Sequence, residues 1–331
     1  MRGLRKFIAA GCGIALVALC SAPTLSAQAV APNAANPTQA KIRIIIDTDI
    51  GDDLDDAFAI ALALQSPEVQ IDGITTAWGD TALRARLVHR LLREAGRTDI
   101  PIAEGIRTQD KGPFTQARWA EAGPALEQHL QAVDFLLKEI AAHPGEITLV
   151  AIGPLTNIGA AIDRDPATFR KLKRIVLMGG SIHRRYNDLG YAPDRGPEPE
   201  YNILCDVAAA KKLFASGVPI FMMPLDSTQL KLDEVLRGIL FSQGTPLTDA
   251  LALLYHEWNQ QTPTLFDVMA MAYVIDPKLC PTQTMHIEVA DNGLTQETPG
   301  TPNASVCLSS DSDQFFHFLM PRLMRAQNKV P

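Results

Sequence analysis

Basic runs are missing from this chain once its first few residues are passed. Of 331 residues, 30 are Lys or Arg and 37 are Asp or Glu, giving a net charge of −7. Nucleic acid is excluded as a partner class on that ground, because holding phosphates takes clustered cations. Cysteine is scarce too, with five residues at 12, 20, 205, 280 and 307, and none of the spacings is that of a metal site. Only the last three lie beyond the leader described below. That odd number excludes a disulfide scaffold. Two readings stay open for them, a single Cys280–Cys307 bridge or three buried thiols. No internal repeat is visible, and no composition shift divides the chain beyond residue 40.

What is present begins with a leader. In MRGLRKFIAAGCGIALVALCSAPTLSAQA, the cations Arg2, Arg5 and Lys6 precede an apolar stretch from Phe7 to Ala22, and small residues follow, ending in Ala27-Gln28-Ala29. This is the layout of a secretory signal peptide over residues 1–29, with cleavage expected after Ala29 and, as second choice, after Ala27. Leu19 before Cys20 argues against lipidation. Cleavage removes three cations and moves the net charge from −7 to −10. The protein is expected to be exported, periplasmic or secreted, with no membrane attachment after cleavage. Residues 30–40, VAPNAANPTQA, read as a disordered linker. Residues 41–331 read as one large domain, 47% of the whole chain being hydrophobic.

Strand and helix patterns alternate through that domain. Lys41–Asp47 reads as a buried strand and Asp56–Gln65 as a helix. VQIDGITTAW is a strand, TALRARLVHRLLREAG a helix, ALEQHLQAVDFLLKEIAAHP a helix and ITLVAIG a strand. Further strands are KRIVLMGG and VPIFMMPLD, and further helices start at LTNIGAAI, DVAAAKKLF, TPLTDALALLYHEW and LFDVMAMAYVI. TMHIEVA and ASVCLS suggest a late antiparallel pair before a last helix, DQFFHFLMPRL. The fold class is α/β: an open, mostly parallel, Rossmann-like sheet with helices on both faces and a late antiparallel element. Ligands in such sheets bind beyond the C-terminal strand ends. Those ends carry DTDIGDDLDD, AWGDT, AIGPLTN, MGGSIH and PLDST.

The first of these places six carboxylates in ten positions, from Asp47 to Asp56. One or two Asp residues at a helix start serve as caps, each favoured by about 0.3–1 kcal/mol. Six raise one another's pKa and oppose folding unless a cation neutralises them. Oxygen-only ligands select a hard cation, Ca²⁺ or Mg²⁺. An EF-hand loop fails, because counting from Asp47 puts Gly51 at position five and Phe58 at position twelve. Asp47-Thr48-Asp49 satisfies the D-x-D of a haloacid-dehalogenase-type phosphatase, but its downstream Lys and late acidic pair are not found.

DTDIGDDLDDA resembles the N-terminal signature of the inosine–uridine-preferring nucleoside hydrolases, commonly D-x-D-P-G-x-D-D-A. Ile50 replaces the Pro, and two residues are inserted before the terminal pair. GITTAWGDT, AIGPLTNIGAAI, MGGSIH with EYNILCDVAAAKKLF, and LFDVMAMAYVIDP resemble the later blocks of that family, in order, so the resemblance runs from about residue 42 to the C-terminus. It implies a catalytic domain that hydrolyses the N-glycosidic bond of ribonucleosides to ribose and free base. It further implies one Ca²⁺ held by Asp49, Asp56, the carbonyl of Ile152 and Asp267, with Asp49 as the base that activates water. Asp55, Glu200 and Asn202 would grip ribose hydroxyls beside Met178, and Asp80 and Trp258 would face the base. Asp52 and Asp53 fall in the insertion and read as solvated loop charge. Asn157 reads as loop-organising, and Asp226 as a turn cap. Relatives are often dimers or tetramers, so a homo-oligomer is implied by analogy.

The departures concern the base. Many members carry His immediately before the last metal ligand, as the acid that protonates the leaving base. Phe266 stands there. Tyr255, His256, Trp258, Trp78 and His183 are the remaining candidates for work on the base, each with an ordinary core or surface role as its competitor. The loop from SIHRRYNDLG through RGPEPE is expected to be mobile and to act as a lid. A silent relative that binds ribose without turnover is the alternative from another class.

Overall fold

The computed structural model describes residues 40–109, 112–126, 128–188 and 196–325, of which residues 40–325 belong to a single compact unit. The leader, with its expected cleavage sites, Cys12 and Cys20, and linker residues 30–39, lie outside the described residues. The described residues form eleven strands: β1 (Ile42–Thr48), β2 (Val69–Thr76), β3 (Ile102–Glu104), β4 (Leu130–Gln131), β5 (Thr148–Ala151), β6 (Arg174–Met178), β7 (Ile220–Met223), β8 (Gln283–Met285), β9 (Ile287–Val289), β10 (Thr295–Glu297) and β11 (Ala304–Val306). Nine of them form one sheet in the order β4-β3-β2-β1-β5-β6-β7-β11-β8. Its neighbours are parallel except for β8 on β11 at the edge.

The apolar alternation of the strands explains the layers. On β1, Ile44 and Ile46 enter one core while Ile45 enters the other, and β5 divides Val150 from Leu149 and Ala151 in the same way. Both faces are therefore covered by helices, as a parallel sheet of β-branched runs requires. Two of those helices, Asp55–Leu64 and Phe266–Ile275, pack against each other and are apolar nearly all round. That is the pattern of helices surrounded by protein. Among the described residues, no helix is long and apolar enough to cross a membrane.

Three expectations shift in detail. The helix expected from Ala125 begins only at Ala132, and Leu130–Gln131 pairs with β3 as an edge strand instead. TMHIEVA does not stay one strand. Its first part pairs antiparallel with β11 in the large sheet, while Ile287–Val289 turns away to pair with β10. Cys280 and Cys307 form a disulfide with Cα atoms 5.6 Å apart, and Cys205 is not part of it. Both bridged residues are fully buried.

The connections set the site. From β1 the chain winds outward through β2, β3 and β4, then returns to β5 on the other side of β1. The crevice beyond the C-terminal ends of β1 and β5 is thus the point where strand order reverses, the place where such sheets bind ligands. Asp47 lies level with Ala151 across the two strands, so Asp49 and Ile152 both emerge at that crevice.

Candidate active site

A cavity of about 360 Å³ opens there. Its floor holds Asp49, Asp55, Asp56, Asp267 and Ile152, and its walls include Met178, Tyr186, Glu200, Asn202, Tyr201, Trp258 and Phe266. Asp55 and Asp56 occupy the first turn of helix Asp55–Leu64, and Asp267 the first turn of helix Phe266–Ile275. Neither helix has a side-chain cap, since Leu54 and Leu265 stand at the cap positions. The two positive helix ends therefore point at this carboxylate cluster. Carboxylate oxygens of Asp55, Asp56 and Asp267 all lie within 4.8 Å of one another, and all three residues are buried.

Asp49 joins the floor from the strand side. Gly153 approaches it so closely that a Cβ there would stand 2.9 Å from the Asp49 carboxylate. Burial is the main cause that raises the Asp49 carboxyl to about 7, opposed by Arg84 and reinforced by Asp52 and Glu200. Burial also lifts Asp55, Asp56 and Asp267 well above the usual carboxylate range, and the neighbouring carboxylates lift them further. Thr48 donates to Asp56, and Asp267 N–H lies 3.4 Å from Asp55 Oδ2. Among the described residues, no Lys, Arg or His lines the cavity. Four buried carboxylates, short of hydrogen-bond donors and of cations, suit a hard divalent ion bound by oxygen alone.

Glu200 caps helix Tyr201–Cys205, accepting from the N–H groups of Asn202 (2.9 Å) and Ile203 (3.2 Å) and from Gly180 N–H (2.8 Å). Asn202, for which a cap was the competing reading, instead lies in the helix and donates to the Met178 carbonyl at 3.2 Å. The structure thus brings Asp49, Asp55, Asp56, Ile152, Met178, Glu200, Asn202, Trp258 and Asp267 to one cavity. Asp80 is not among its lining residues. It caps helix Thr81–Glu94 through Leu83 N–H and pairs with Arg107 at 2.8 Å, facing a neighbouring hollow.

Of the other candidates for the base, Trp78, Tyr255, His256 and His183 do not line the cavity. His183 lies 3.5 Å from Asp226. The Asp226 carboxylate accepts from the N–H groups of Ile182 and His183, both at 2.9 Å, so it organises the loop rather than a turn of its own. Gln229 ties the same loop through the carbonyls of Arg185 and Asp188. The described part of the expected lid is therefore anchored, and its residues 189–195 lie outside the described residues. Asn157 joins three strand ends, bonding Asp47 (2.8 Å), the Thr76 carbonyl (2.9 Å) and Ile106 N–H (2.9 Å).

Two residues escaped the sequence reading. Arg84 is 1% exposed, beneath the acidic loop. It donates to the carbonyls of Asp49, Ile50 (3.0 Å) and Trp78 (2.8 Å), and to the Asp52 carboxylate (2.8 Å). Asp52 is therefore an ion-pair partner and not merely solvated charge. Asp53 is half-buried and accepts from Leu54 N–H at 2.7 Å. The signal was available: Arg84 is the one charged residue on the Leu87, Val88, Leu91 stripe of its helix. Gly51 completes this loop at φ 132°, where a Cβ would strike the Phe114 ring that Arg84 overlies. Tyr186 is the second, and no periodicity marks it, because it lies in an irregular loop.

Among its described lining residues the cavity offers no Ser, Cys or His for covalent attack, and its carboxylates suit deprotonation of water beside a hard cation. A hydrolase that activates water is the class these features define. A sequence model described as "Inosine-uridine preferring nucleoside hydrolase" matches residues 44–317, and the chain belongs to that family of N-glycosyl hydrolases. It is 33% identical to uridine nucleosidase 1 of Arabidopsis thaliana over 253 residues, 71% of each chain. It is 31% identical to the pyrimidine-specific ribonucleoside hydrolase RihA of Citrobacter koseri over 315 residues, 85% of this chain and 97% of the relative. Among solved structures, the plant nucleoside hydrolase PpNRh1 superposes with a TM-score of 0.76 at 29% identity, covering 86% of this chain and 99% of the other.

Proposed function

We propose that this enzyme cleaves ribonucleosides to ribose and free base with the help of Ca²⁺, and that it does so outside the cytoplasm in nucleoside salvage. The convergence of Asp55, Asp56 and Asp267 on one buried point, with Asp49 beside them, carries the reading. Asp56, Asp267, Asp49 and the Ile152 carbonyl would hold the cation, with Asp55 within reach of it. When bound, the ion supplies positive charge that offsets the carboxylates and acidifies a water beside the sugar.

The chain's own groups do the rest. Asp49, held at its carbonyl by Arg84, takes a proton from the attacking water. Cleavage of an N-glycosidic bond passes through a cation-like ribosyl group, and the surrounding carboxylates stabilise that charge. Asp55, Glu200 and Asn202 orient the ribose hydroxyls, using binding energy to hold a reactive sugar shape. A substrate lacking the 2′-hydroxyl would leave buried polar atoms unpaired, so deoxynucleosides should be poor substrates. The leader-like N-terminus and the buried Cys280–Cys307 disulfide support export, since disulfides persist in oxidising compartments.

The test is reducing-sugar release from inosine, uridine and 2′-deoxyuridine, with and without a chelator. Release from the ribosides that is lost on chelation and restored by Ca²⁺ is expected. Release of phosphate from p-nitrophenyl phosphate instead would overturn the reading. Cell fractionation tests the location, and a cytoplasmic pool alone would refute it.

A further inference from the structure

Hydrolysis as proposed above leaves the departing base without a proton source. A nucleobase leaves C1′ with the electron pair of the broken bond, as the anion of a weak acid, and departs far faster when a proton reaches it as the bond breaks. Phe266 cannot give one. Among the lining residues, the floor carboxylates face the cation site, and Glu200 is committed as an acceptor to three backbone N–H groups. Of the two tyrosines on the cavity wall, Tyr201 is 40% exposed and Tyr186 is the one packed against Phe266. Its ring meets Phe266 edge-on, with centroids 5.8 Å apart and planes at 84°, so it occupies the space beside the position where the resemblance expects an imidazole. Its hydroxyl accepts from Tyr201 N–H at 3.1 Å and faces Glu200 Oε1 across 3.4 Å. The first contact stabilises charge that develops on the phenolic oxygen. The second is at the long limit of a hydrogen bond, so the proton is free to turn to a better acceptor.

We propose that the Tyr186 hydroxyl is the acid that protonates the leaving base, an assignment that rests on the hydrolase reading. In this step the C1′–N bond breaks with its electrons passing to the base, and a base heteroatom takes the phenolic proton. Water bonds to C1′ after giving its proton to Asp49. As products leave, the phenolate regains a proton from solvent and Asp49 returns one to it, so the sum is nucleoside plus water to ribose plus base. Burial, with the carboxylates of Glu200 and Asp55 nearby, holds the phenol well above its ordinary range, so it is protonated when a nucleoside arrives, and release of the proton relies on the Tyr201 N–H that takes up charge on the oxygen. The backbone fixes the side chain further, since Tyr186 N–H donates to the Glu198 carboxylate at 2.6 Å.

The experiment compares Tyr186→Phe with wild type on inosine, uridine and p-nitrophenyl β-ribofuranoside, whose nitrophenolate leaves without a proton. The ratio of nucleoside kcat to p-nitrophenyl riboside kcat should fall about 100-fold in the variant. Turnover of the nitrophenyl compound also certifies that the variant is folded, and Asp49→Ala should abolish it. A ratio that does not move overturns the assignment: equal losses on all substrates would make Tyr186 a holder of Glu200, and no loss would make it a wall. Wild-type enzyme inert on every riboside would remove the hydrolase reading and this proposal with it.

Discussion

Asp47 and Asp49 are two residues apart at the end of one strand, carry the same charge and are both buried, yet the protein treats them in opposite ways. Asp47 turns to the side of Asn157, where Thr75 and Asn157 both donate to its Oδ1. It ends a strand and joins loops. Asp49 turns into the cavity, where its neighbours are other carboxylates and the cation beside it, Arg84, is engaged by backbone carbonyls. One acid is settled by hydrogen bonds. The other is surrounded by carboxylates whose charge, under the proposed function, a cation would offset. A buried carboxylate is thus structural or chemical according to what the surrounding chain provides, and its own type does not say which.

The sharpest way to break this contrast is to remove each acid in turn. Asp49→Ala should lower kcat on the best ribonucleoside by about 1,000-fold or more while leaving the fold intact, since a positioned base is worth about that much. If Ca²⁺ binds as proposed it should raise the wild-type Tm, because a ligand of the folded state alone stabilises it, and Asp267→Asn should remove that rise. A variant at Asp49 that turns over normally would put Asp49 in the same class as Asp47.

Arg84 tests how far the cavity depends on the layer beneath it. Arg84→Met would leave the carbonyls of Asp49, Ile50 and Trp78 and the Asp52 carboxylate without their donor. Loss of one partner from such a buried set costs about 3 kcal/mol, which urea unfolding would measure. Asp52→Asn should cost less, because Asp52 is 23% exposed and solvent screens its charge.

How much of this could be read beforehand follows from the same contrast. The strand that ends in Asp47, the helices that begin at Asp55 and near Asp267, and the glycine stops have strong local patterns, so the alternating fold was legible. The family's blocks brought Asp56, Ile152, Glu200 and Asn202 forward because each sits in a recognisable stretch. Asp80 falls outside the cavity lining. A cap and a pocket residue look alike in sequence, and only the direction of its carboxylate, toward Leu83 N–H and Arg107, separates them. The Asp52–Arg84 pair spans 32 positions: the apolar stripe turns Arg84 inward, but no local pattern states which carboxylate meets it. Tyr186 lies in a loop whose path is set by Asp226 and Gln229, both forty or more residues away.

Titration sharpens the comparison without mutation. The floor carboxylates have folded pKa values raised above 3.8, Asp49 to about 7. A raised group lends stability that is whole below its unfolded pKa and is lost as pH climbs through the folded one. The Tm of chelator-treated protein should therefore fall as pH rises from about 4 to above 7. Adding Ca²⁺ should flatten that fall, because a bound cation favours the ionised form. An equal slope with and without Ca²⁺, followed by differential scanning fluorimetry, would mean that these carboxylates do not share an ion.

The smallest effect is expected at Asp47. Asn in its place keeps an oxygen for Thr75 and Asn157 and puts an amide where Oδ2 has no partner. What disappears is a charge whose burial raises the carboxyl to about 6. In wild type the contribution of that group is whole below 3.8 and is lost as pH passes about 6, whereas Asn has no such loss. Asp47→Asn should therefore stay within about 1 kcal/mol of wild type, gain on it between pH 5 and pH 8, and keep its turnover. Stability curves at those two pH values decide the matter. A large loss of activity with an unchanged melt would show that the charge on Asp47 reaches the cavity through Asn157, and that the two acids work as one.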